Sequence, residues 1–442
     1  MRKLGKPRVG RGGHRGPGYA DPIPATLLND RFGWGADPSW SCGELLDPPW
    51  QTHHGGKRTE VVWVTPMIKR LYVHNFRCLE NFELALGDLR SVLLLGRNGA
   101  GKTTVGLALK VLQGIARGTN RIGDLVKPKD LTHGRSGVPA RFEVDVTLAG
   151  RNYAYSVAFE FPTGFRELRV SEEKLAVDGH SIFTRELAQV RLARSGLATE
   201  AAFRIDWHLV ALPIVQEQSR DDPLSIFKRW LASILILRPV PSQARGESEQ
   251  NTPELNTPDT QVTNVGAWFS GMVTAAPSTY SHVSEYLVQV MPDFQKITNP
   301  IFGKETRSLV FHFLKDHRNA ELALEDLSDG EKCFVIFALT IAENAALGPI
   351  LCFWDEPDNF LAPDEVGHSI TALRKAFQDS GQLIVTSHNP EAIRRFSETN
   401  TLYLSRKSHL DPTIVTPVED MRTSGQFEGG FVDALLRGDL DA

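Results

Sequence analysis

The chain has 442 residues, of which 23% are charged, and its formal net charge is −4 at pH 7. This balance gives no overall signal for nucleic-acid binding, and no apolar run approaches the roughly 20 residues of a membrane-spanning helix. The cysteines Cys42, Cys78, Cys333 and Cys352 form no close pair, which predicts neither disulfides nor a zinc site and fits the reducing cytoplasm.

The first 66 residues differ in composition from the rest. Nineteen of them are Gly or Pro, and residues 2–15 carry six Lys or Arg and no acid. This composition is typical of low complexity and predicts disorder through about residue 60. The segment is either a basic nucleic-acid-binding arm or upstream sequence that precedes a true start at Met67.

An apolar run at 91–95 is followed by a glycine-rich turn and the start of a helix. This context predicts a phosphate-binding loop, here called the P-loop, whose backbone N–H groups and helix dipole bind phosphate oxygens. Lys102 is predicted to reach the β- and γ-phosphates, and Thr103 to offer its hydroxyl to Mg²⁺. A dinucleotide fingerprint fits less well, because no third glycine follows Gly101 at the required spacing. The residues predicted to bind nucleoside triphosphate here are Gly96, Arg97, Asn98, Gly99, Ala100, Gly101, Lys102, Thr103 and Thr104.

Residues 141–177 alternate between apolar and polar types, which predicts antiparallel strands beside the nucleotide sheet, with a hairpin turn at 177–180. A helix is predicted over 224–236, followed by a polar loop over 241–262. Residues 265–290 predict a helix that is broken at Ala276 and Pro277. No sustained heptads occur, so a compact lid is predicted rather than a long coiled coil.

Ser328 precedes a long apolar helix and is followed three residues later by Glu331, a capping-box pattern. One interpretation is a well-capped helix and nothing more. The other is a second phosphate-binding surface, made by the serine hydroxyl and the helix N-terminus.

Two apolar runs end in polar residues. The run at 350–354 is typical of a strand buried on both faces, and it ends in Asp355 and Glu356. Asp355 is predicted to hold Mg²⁺ and Glu356 to polarise the attacking water, unless the two acids only cap a strand. A second run, 383–387, ends at His388, which is predicted to contact a γ-phosphate oxygen or that water, unless it is purely structural.

After His388 the sequence predicts strands at 402–404 and 413–415 and no second catalytic centre. The acids of this region are sparse and predict a solvated tail; they are Glu419, Asp420, Asp433, Asp439 and Asp441.

The P-loop, the helix that Ser328 opens, the acidic strand and the histidine turn, in this order, resemble the ABC-type ATPase head of the RecF/SMC-like and OLD-like prokaryotic AAA-family ATPases. Residues 68–79 and 264–269 resemble further parts of that head. The similarity runs from about Met67 to Leu404, and its beginning favours Met67 as the true start. It implies an α/β fold: a P-loop NTPase head with a mixed or parallel central sheet, an antiparallel β subdomain and a helical lid insertion.

By this resemblance, Lys102 and Thr103 are ligands of phosphate and Mg²⁺, and Asp355 and Glu356 are the Walker B pair. His388 is the switch histidine. Ser328 and Gly330 are the signature that closes over ATP held by a partner subunit.

The chain departs from the family pattern at Ala362, where relatives often carry histidine, and at Asn389, where serine is common. Neither departure removes a ligand of phosphate or metal. For the Mg²⁺-sensing glutamine of the family, Gln216 and Gln218 are only candidates.

The resemblance implies a cytoplasmic, Mg²⁺-dependent ATP hydrolase that acts as a homodimeric switch, with two ATP molecules between two copies and no membrane partner. Its expected role is anti-phage defence through a separate nuclease or toxin effector. A RecF-like DNA-binding repair ATPase and a regulatory protein that binds ATP without turnover are the alternatives. The expected divisions are an N-terminal extension at 1–66, the first half of the head at 67–140, the β subdomain and lid at 141–320, and the second half of the head at 321–442.

Overall fold

The computed structural model describes residues 65–193, 201–249, 257–302, 305–425 and 430–437. The predicted disorder through residue 60, the basic arm, and the tail acids Asp439 and Asp441 lie outside these ranges. None of the helices within the described ranges combines the length and the apolar character that a membrane crossing requires.

The strands follow one another along the chain as β1 Met67–His74, β2 Phe82–Ala85, β3 Ser91–Leu95, β4 Ala140–Leu148, β5 Arg151–Glu160, β6 Arg169–Val177, β7 His180–Glu186, β8 Gln189–Leu192, β9 Ala201–Arg204, β10 Leu235–Leu237, β11 Glu247–Glu249, β12 Phe294–Thr298, β13 Ile301–Phe302, β14 Thr306–Ser308, β15 Val310–Lys315, β16 Arg318–Ala323, β17 Leu351–Asp355, β18 Gln382–Thr386, β19 Thr401–Ser405 and β20 Ile414–Pro417.

The α-helices are α1 Lys102–Ala116, α2 Ile122–Leu125, α3 Pro223–Ser233, α4 Val265–Ala275, α5 Thr279–Val290, α6 Asp329–Ala346, α7 Pro363–Ala376, α8 Pro390–Ile393, α9 Val418–Thr423 and α10 Phe431–Arg437.

The sheet that carries the P-loop has the strand order β10-β17-β18-β3-β19-β20 within the described residues. Its neighbouring strands are parallel except for β19 and β20, which are antiparallel. The parallel strands β10, β17, β18 and β3 therefore end at one edge, which is where open α/β sheets bind ligands. The predicted mixed or parallel central sheet is confirmed.

Helices cover both faces of this sheet, which explains why its strands read as continuous apolar runs. Side chains alternate along β3: Val92 and Leu94 join a core with α1, α3 and the antiparallel sheet. Leu93 and Leu95 join a second core with α4, α5, α6 and α7.

A second sheet is antiparallel throughout, with the order β2-β1-β4-β5-β6-β7-β8-β9 in the described part of the chain. Along β4, every second side chain is buried, as the alternating sequence predicts. Asp178 and Gly179 join β6 to β7 with φ of 49° and 81°, the two positive values that a type I′ hairpin turn requires. The predicted antiparallel strands and hairpin are confirmed. The strands β1 and β2 lie before residue 140, whereas β5 to β9 lie after residue 141. One sheet therefore contains residues from both sides of the domain division expected between residues 140 and 141.

The region predicted as a lid contains the helices α3, α4 and α5, and the expected break separates α4 from α5. The prediction of one helix over 224–236 was wrong at its end, because α3 stops at Ser233 and Leu235–Leu237 forms β10 beside β17. A short apolar run is compatible with a helix or a strand, and here its pairing with β17 makes it a strand. The predicted loop over 241–262 also contains β11.

Candidate nucleotide-binding site

The P-loop joins β3 to α1, and all three of its glycines, Gly96, Gly99 and Gly101, have positive φ, which few other residues adopt. Gly96 has a φ of 145° and Gly101 a φ of 105°. A Cβ atom on Gly96 would collide with the carbonyl oxygen of Leu404, and one on Gly101 would lie 2.8 Å from Oγ1 of Thr413. The close approach of β19 and of the segment before β20 therefore requires glycine at both positions.

The N-terminus of α1 is open to an anion. Its N-cap is Gly101, with no side-chain cap and no acid in the first turn, so its first N–H groups and the positive end of the dipole are available to a phosphate. Lys102 is 6% exposed, and its Nζ donates to the carbonyl oxygens of Gly96 and Arg97 at 2.7 and 3.3 Å. Burial lowers the pKa of Lys102, and the carboxylates of Glu356 and Asp355 oppose that shift.

Asp355 ends β17 and is held from two sides. Thr103 Oγ1 donates to its Oδ2 at 2.8 Å, and Thr386 Oγ1 donates to its Oδ1 at 2.6 Å. Thr386 stands at the end of the neighbouring strand β18, and its Oγ1 also accepts from the backbone N–H of Glu356 at 3.0 Å. Its signal in the sequence was only a threonine at the end of an apolar run, and sequence reasoning gave it no role.

Glu356 has a φ of 55°, a left-handed conformation that costs a non-glycine residue roughly 1 kcal/mol or more. Its side chain accepts from Asn359 Nδ2 at 2.8 Å. His388 Nε2 lies 3.7 Å from Oε1 of Glu356. Burial, and then the charge of Lys102, lower the pKa of His388 against the opposing carboxylates, which favours the neutral imidazole. The structure therefore brings Lys102, Thr103, Asp355, Glu356 and His388 together.

Three of them, Lys102, Thr103 and Glu356, line a cavity of about 760 Å³, within the size range of small-molecule sites. Its rim carries an excess of basic side chains, of which Arg77 pairs with Asp130 at 3.0 Å. Such a surplus favours a polyanionic ligand. The lining residues of the P-loop and α1 are Asn98, Gly99, Gly101, Lys102, Thr103 and Thr104; the other charged or basic ones are Arg77, Lys129, Asp130, His133, Arg238, Glu356, Arg406 and His409.

Arg238 is a cavity residue that sequence reasoning missed. It directly follows β10, and its Nε lies 3.6 Å from Oδ2 of Asp355. No local motif marks it, because its position depends on the pairing of β10 with β17.

The oxygen donors of the site fit Mg²⁺. The hydroxyl of Thr103 and the carboxylate of Asp355 are hard ligands of the kind that Mg²⁺ prefers. Two adjacent ligands of an octahedral Mg²⁺ lie about 3 Å apart, and the observed separation is 2.8 Å. These two residues can therefore occupy neighbouring positions around one ion.

Ser328 and Gly330 lie away from this cavity, whose lining includes neither of them. Ser328 caps α6, accepting from the N–H of Glu331 at 3.3 Å, while its own N–H donates to Oε2 of Glu331 at 2.8 Å. The predicted capping box is confirmed. A Cβ on Gly330 would lie 3.2 Å from the carbonyl oxygen of Phe360, so the helix N-terminus packs beside the turn that follows Glu356.

The glutamine candidates Gln216 and Gln218 are exposed and do not line the cavity. At the departures from the family pattern, Ala362 is the N-cap of α7, and Asn389 caps α8 by accepting from the N–H of Glu391 at 2.9 Å.

A family model described as "AAA domain, putative AbiEii toxin, Type IV TA system" matches residues 91–394. The matched range contains the P-loop, Ser328, Asp355, Glu356 and His388. Among curated proteins, the OLD nuclease of Thermus scotoductus (strain ATCC 700910 / SA-01) is 52% identical over 48 residues, which make up 11% of this chain and 9% of that protein.

Solved structures of SMC heads are similar over most of the chain at low identity. The Smc head domain of Pyrococcus furiosus with an extended coiled coil, bound to the C-terminal domain of ScpA, is 12% identical, with a TM-score of 0.48; the alignment covers 81% of this chain and 98% of that one. An SmcHead bound to the C-winged helix domain of ScpA is 14% identical, with a TM-score of 0.46, covering 80% and 99%. The SMC head domain of Thermotoga maritima is 15% identical, with a TM-score of 0.41, covering 79% and 98%.

Proposed function

The chain belongs to the AAA domain family whose description includes the AbiEii toxin and type IV TA systems, and from this membership and its site we propose that it hydrolyses ATP. The observation that carries the proposal is the convergence of Thr103 and Asp355 at 2.8 Å, beside Lys102 and Glu356. A loop that binds phosphate, a pair of Mg²⁺ ligands and a carboxylate for water are the parts that phosphoryl transfer to water needs.

Each part has a distinct chemical role. The N–H groups of the P-loop and the ammonium of Lys102 bind the β- and γ-phosphates. Thr103 and Asp355 would hold Mg²⁺, which would neutralise charge on the phosphates. Glu356 accepts a proton from the water whose oxygen attacks the γ-phosphorus, and the bond from that phosphorus to the ADP oxygen breaks. His388, beside Glu356, orients that water or the γ-phosphate.

We further propose that two copies enclose two ATP molecules. Ser328 and Gly330 lie outside the cavity of their own chain, while the hydroxyl and the helix N-terminus at this position suit a phosphate. A second copy would present them to the γ-phosphate held by the first. Hydrolysis would then separate the copies and make the protein a switch.

The proposed output of this switch is control of a separate nuclease or toxin effector in anti-phage defence, in the cytoplasm. The toxin system in the family description and the short match to an OLD nuclease support this role, and the free, buried Cys78, Cys333 and Cys352 suit a reducing compartment. Cells that carry the wild-type chain and its neighbouring genes should survive phage challenge better than cells with Lys102→Ala. Stimulation of the ATPase by DNA, with equal survival, would favour the DNA repair alternative.

The test of the enzymatic proposal uses Glu356→Gln. This variant should bind ATP but lose turnover by about 100-fold or more, and it should elute as a dimer with saturating Mg²⁺ and ATP. Glu419→Gln, an exposed acid on α9, is the matched control and should behave as wild type. A Glu356→Gln chain that remains monomeric with saturating ATP would rule out the enclosed dimer, and unchanged turnover would rule out the role of Glu356.

A further inference from the structure

Arg238 stands at the edge of the sheet where Asp355 and Glu356 lie. It follows β10, whose last residue Leu237 pairs with Trp354 in the parallel strand β17. The backbone N–H of Arg238 donates to the carbonyl oxygen of Thr260 at 2.7 Å. The backbone is thus fixed by a strand on one side and a hydrogen bond on the other, and it places the base of a long cationic side chain at this edge of the sheet.

The side chain itself is not packed. It is 63% exposed, lines the cavity with Lys102, Thr103 and Glu356, and has its Nε 3.6 Å from Oδ2 of Asp355. The same carboxylate oxygen accepts the hydroxyl of Thr103 at 2.8 Å. The guanidinium therefore balances the charge of the carboxylate that is proposed to hold Mg²⁺.

Arg238 and a divalent cation compete for this oxygen, because like charges repel at such short range. An exposed side chain can turn away from Asp355 at little cost. A bound triphosphate would then offer the guanidinium an anionic partner in the cavity, and the planar fork of a guanidinium suits phosphate oxygens better than an ammonium does.

We propose that Arg238 contacts the terminal phosphate of the nucleotide bound to its own chain, and so distinguishes a triphosphate from a diphosphate. This inference rests on the proposed ATP site and adds a residue to it.

The test compares the affinities of Arg238→Ala for ADP and for a non-hydrolysable ATP analogue, both with Mg²⁺, by isothermal titration calorimetry. The analogue should bind about 10- to 100-fold more weakly, as expected for the loss of a charged hydrogen bond, and the ADP affinity should change by less than about threefold. Arg238→Lys keeps the charge and should lose less affinity for the analogue. Arg245→Ala, an exposed arginine outside the cavity, is the matched control and should bind both nucleotides as wild type does.

Equal weakening of both nucleotides would identify Arg238 as a structural partner of Asp355, and unchanged affinity for the analogue would show that it makes no phosphate contact; either result overturns the inference. If the wild type binds the analogue and Lys102→Ala does not, these results leave the proposed ATP site intact. A wild-type chain that binds neither nucleotide would overturn the proposed function together with this inference.

Discussion

The hydroxyl of Thr103 donates to the carboxylate of Asp355 at 2.8 Å, although 252 residues separate them in the sequence. Their strands are not neighbours, because β18 lies between β3 and β17. Thr386 at the end of β18 supplies the second hydrogen bond to Asp355. The start of α1 and the end of β18 therefore fix the carboxylate at the end of β17, which is the kind of support that an ion-binding residue needs.

Replacing Asp355 by Asn should weaken Mg²⁺ binding, so that ATP turnover requires a higher Mg²⁺ concentration. The amide keeps the shape of the side chain but loses the charge that attracts the ion, so we expect turnover to fall by about 100-fold or more. Phosphate release measured against Mg²⁺ concentration checks this. Asp379→Asn, an exposed acid, should leave the Mg²⁺ curve unchanged, and a normal curve for Asp355→Asn would exclude Asp355 as a ligand.

Lys102→Ala should abolish nucleotide binding at micromolar concentrations. The variant loses the buried ammonium beside the P-loop carbonyls, and we expect affinity to fall by about 100-fold. Titration with a fluorescent ATP analogue measures this directly. Lys110 lies on the same helix and is exposed, so Lys110→Ala should bind like wild type; equal binding by both variants would contradict the proposed P-loop.

Two inactive variants should restore activity when mixed, if each ATP is enclosed by two copies. Lys102→Ala disables the P-loop, and Ser328→Arg places a bulky side chain on the surface that would face the partner's γ-phosphate. In a mixed dimer one of the two sites has both halves intact, so an equal mixture should recover at most about a quarter of wild-type turnover. Steady-state ATPase assays of each variant alone and of the mixture measure this recovery. Full activity of Ser328→Arg alone would exclude the serine from the site.

Glu343→Gln should stabilise the protein in a pH-dependent way. Glu343 is 5% exposed, and burial raises its pKa from 4.5 to about 7, although it accepts a hydrogen bond from Trp268 Nε1 at 2.6 Å. A raised pKa means that the folded chain holds the proton more tightly than the unfolded chain. The stability from this group is therefore complete below about pH 4.5 and is lost as the pH rises through about 7.

Glutamine keeps an acceptor for Trp268 and carries no charge at any pH. The variant should be about 2–3 kcal/mol more stable than wild type at pH 8, and this difference should shrink to under about 1 kcal/mol near pH 4.5. Urea unfolding at the two pH values measures both differences. Glu419→Gln should change neither, and a gain from Glu343→Gln that is the same at both pH values would refute the titration.

Much of the site was predictable because its signals are local. The P-loop, the capping box at Ser328 and the acids after an apolar strand each occupy a few consecutive residues, and the structure contains the predicted strand β3, the capped helix α6 and the strand β17. The resemblance drawn from these motifs is confirmed by the family match. The individual roles of the site residues remain predictions.

The rest depended on contacts between distant segments. The apolar run that contains Leu235 suited a helix as well as a strand, so neither β10 nor Arg238 at its end was foreseen. Lys129 and His133 reach the cavity from a stretch of short turns after α2 that has no motif. Thr386 forms its hydrogen bonds with Asp355 and Glu356 only because β18 pairs with β17.

The packing behind the P-loop limits how far the polypeptide can be shortened. Leu404 lies against Gly96, and Thr413 donates its hydroxyl to the carbonyl oxygen of Ala100 at 2.9 Å. A fragment truncated just after His388 would retain every side chain assigned to the nucleotide. It would lack Leu404 and Thr413, however, and so the segments that pack against the P-loop. Boundaries chosen for recombinant expression should therefore extend beyond β20.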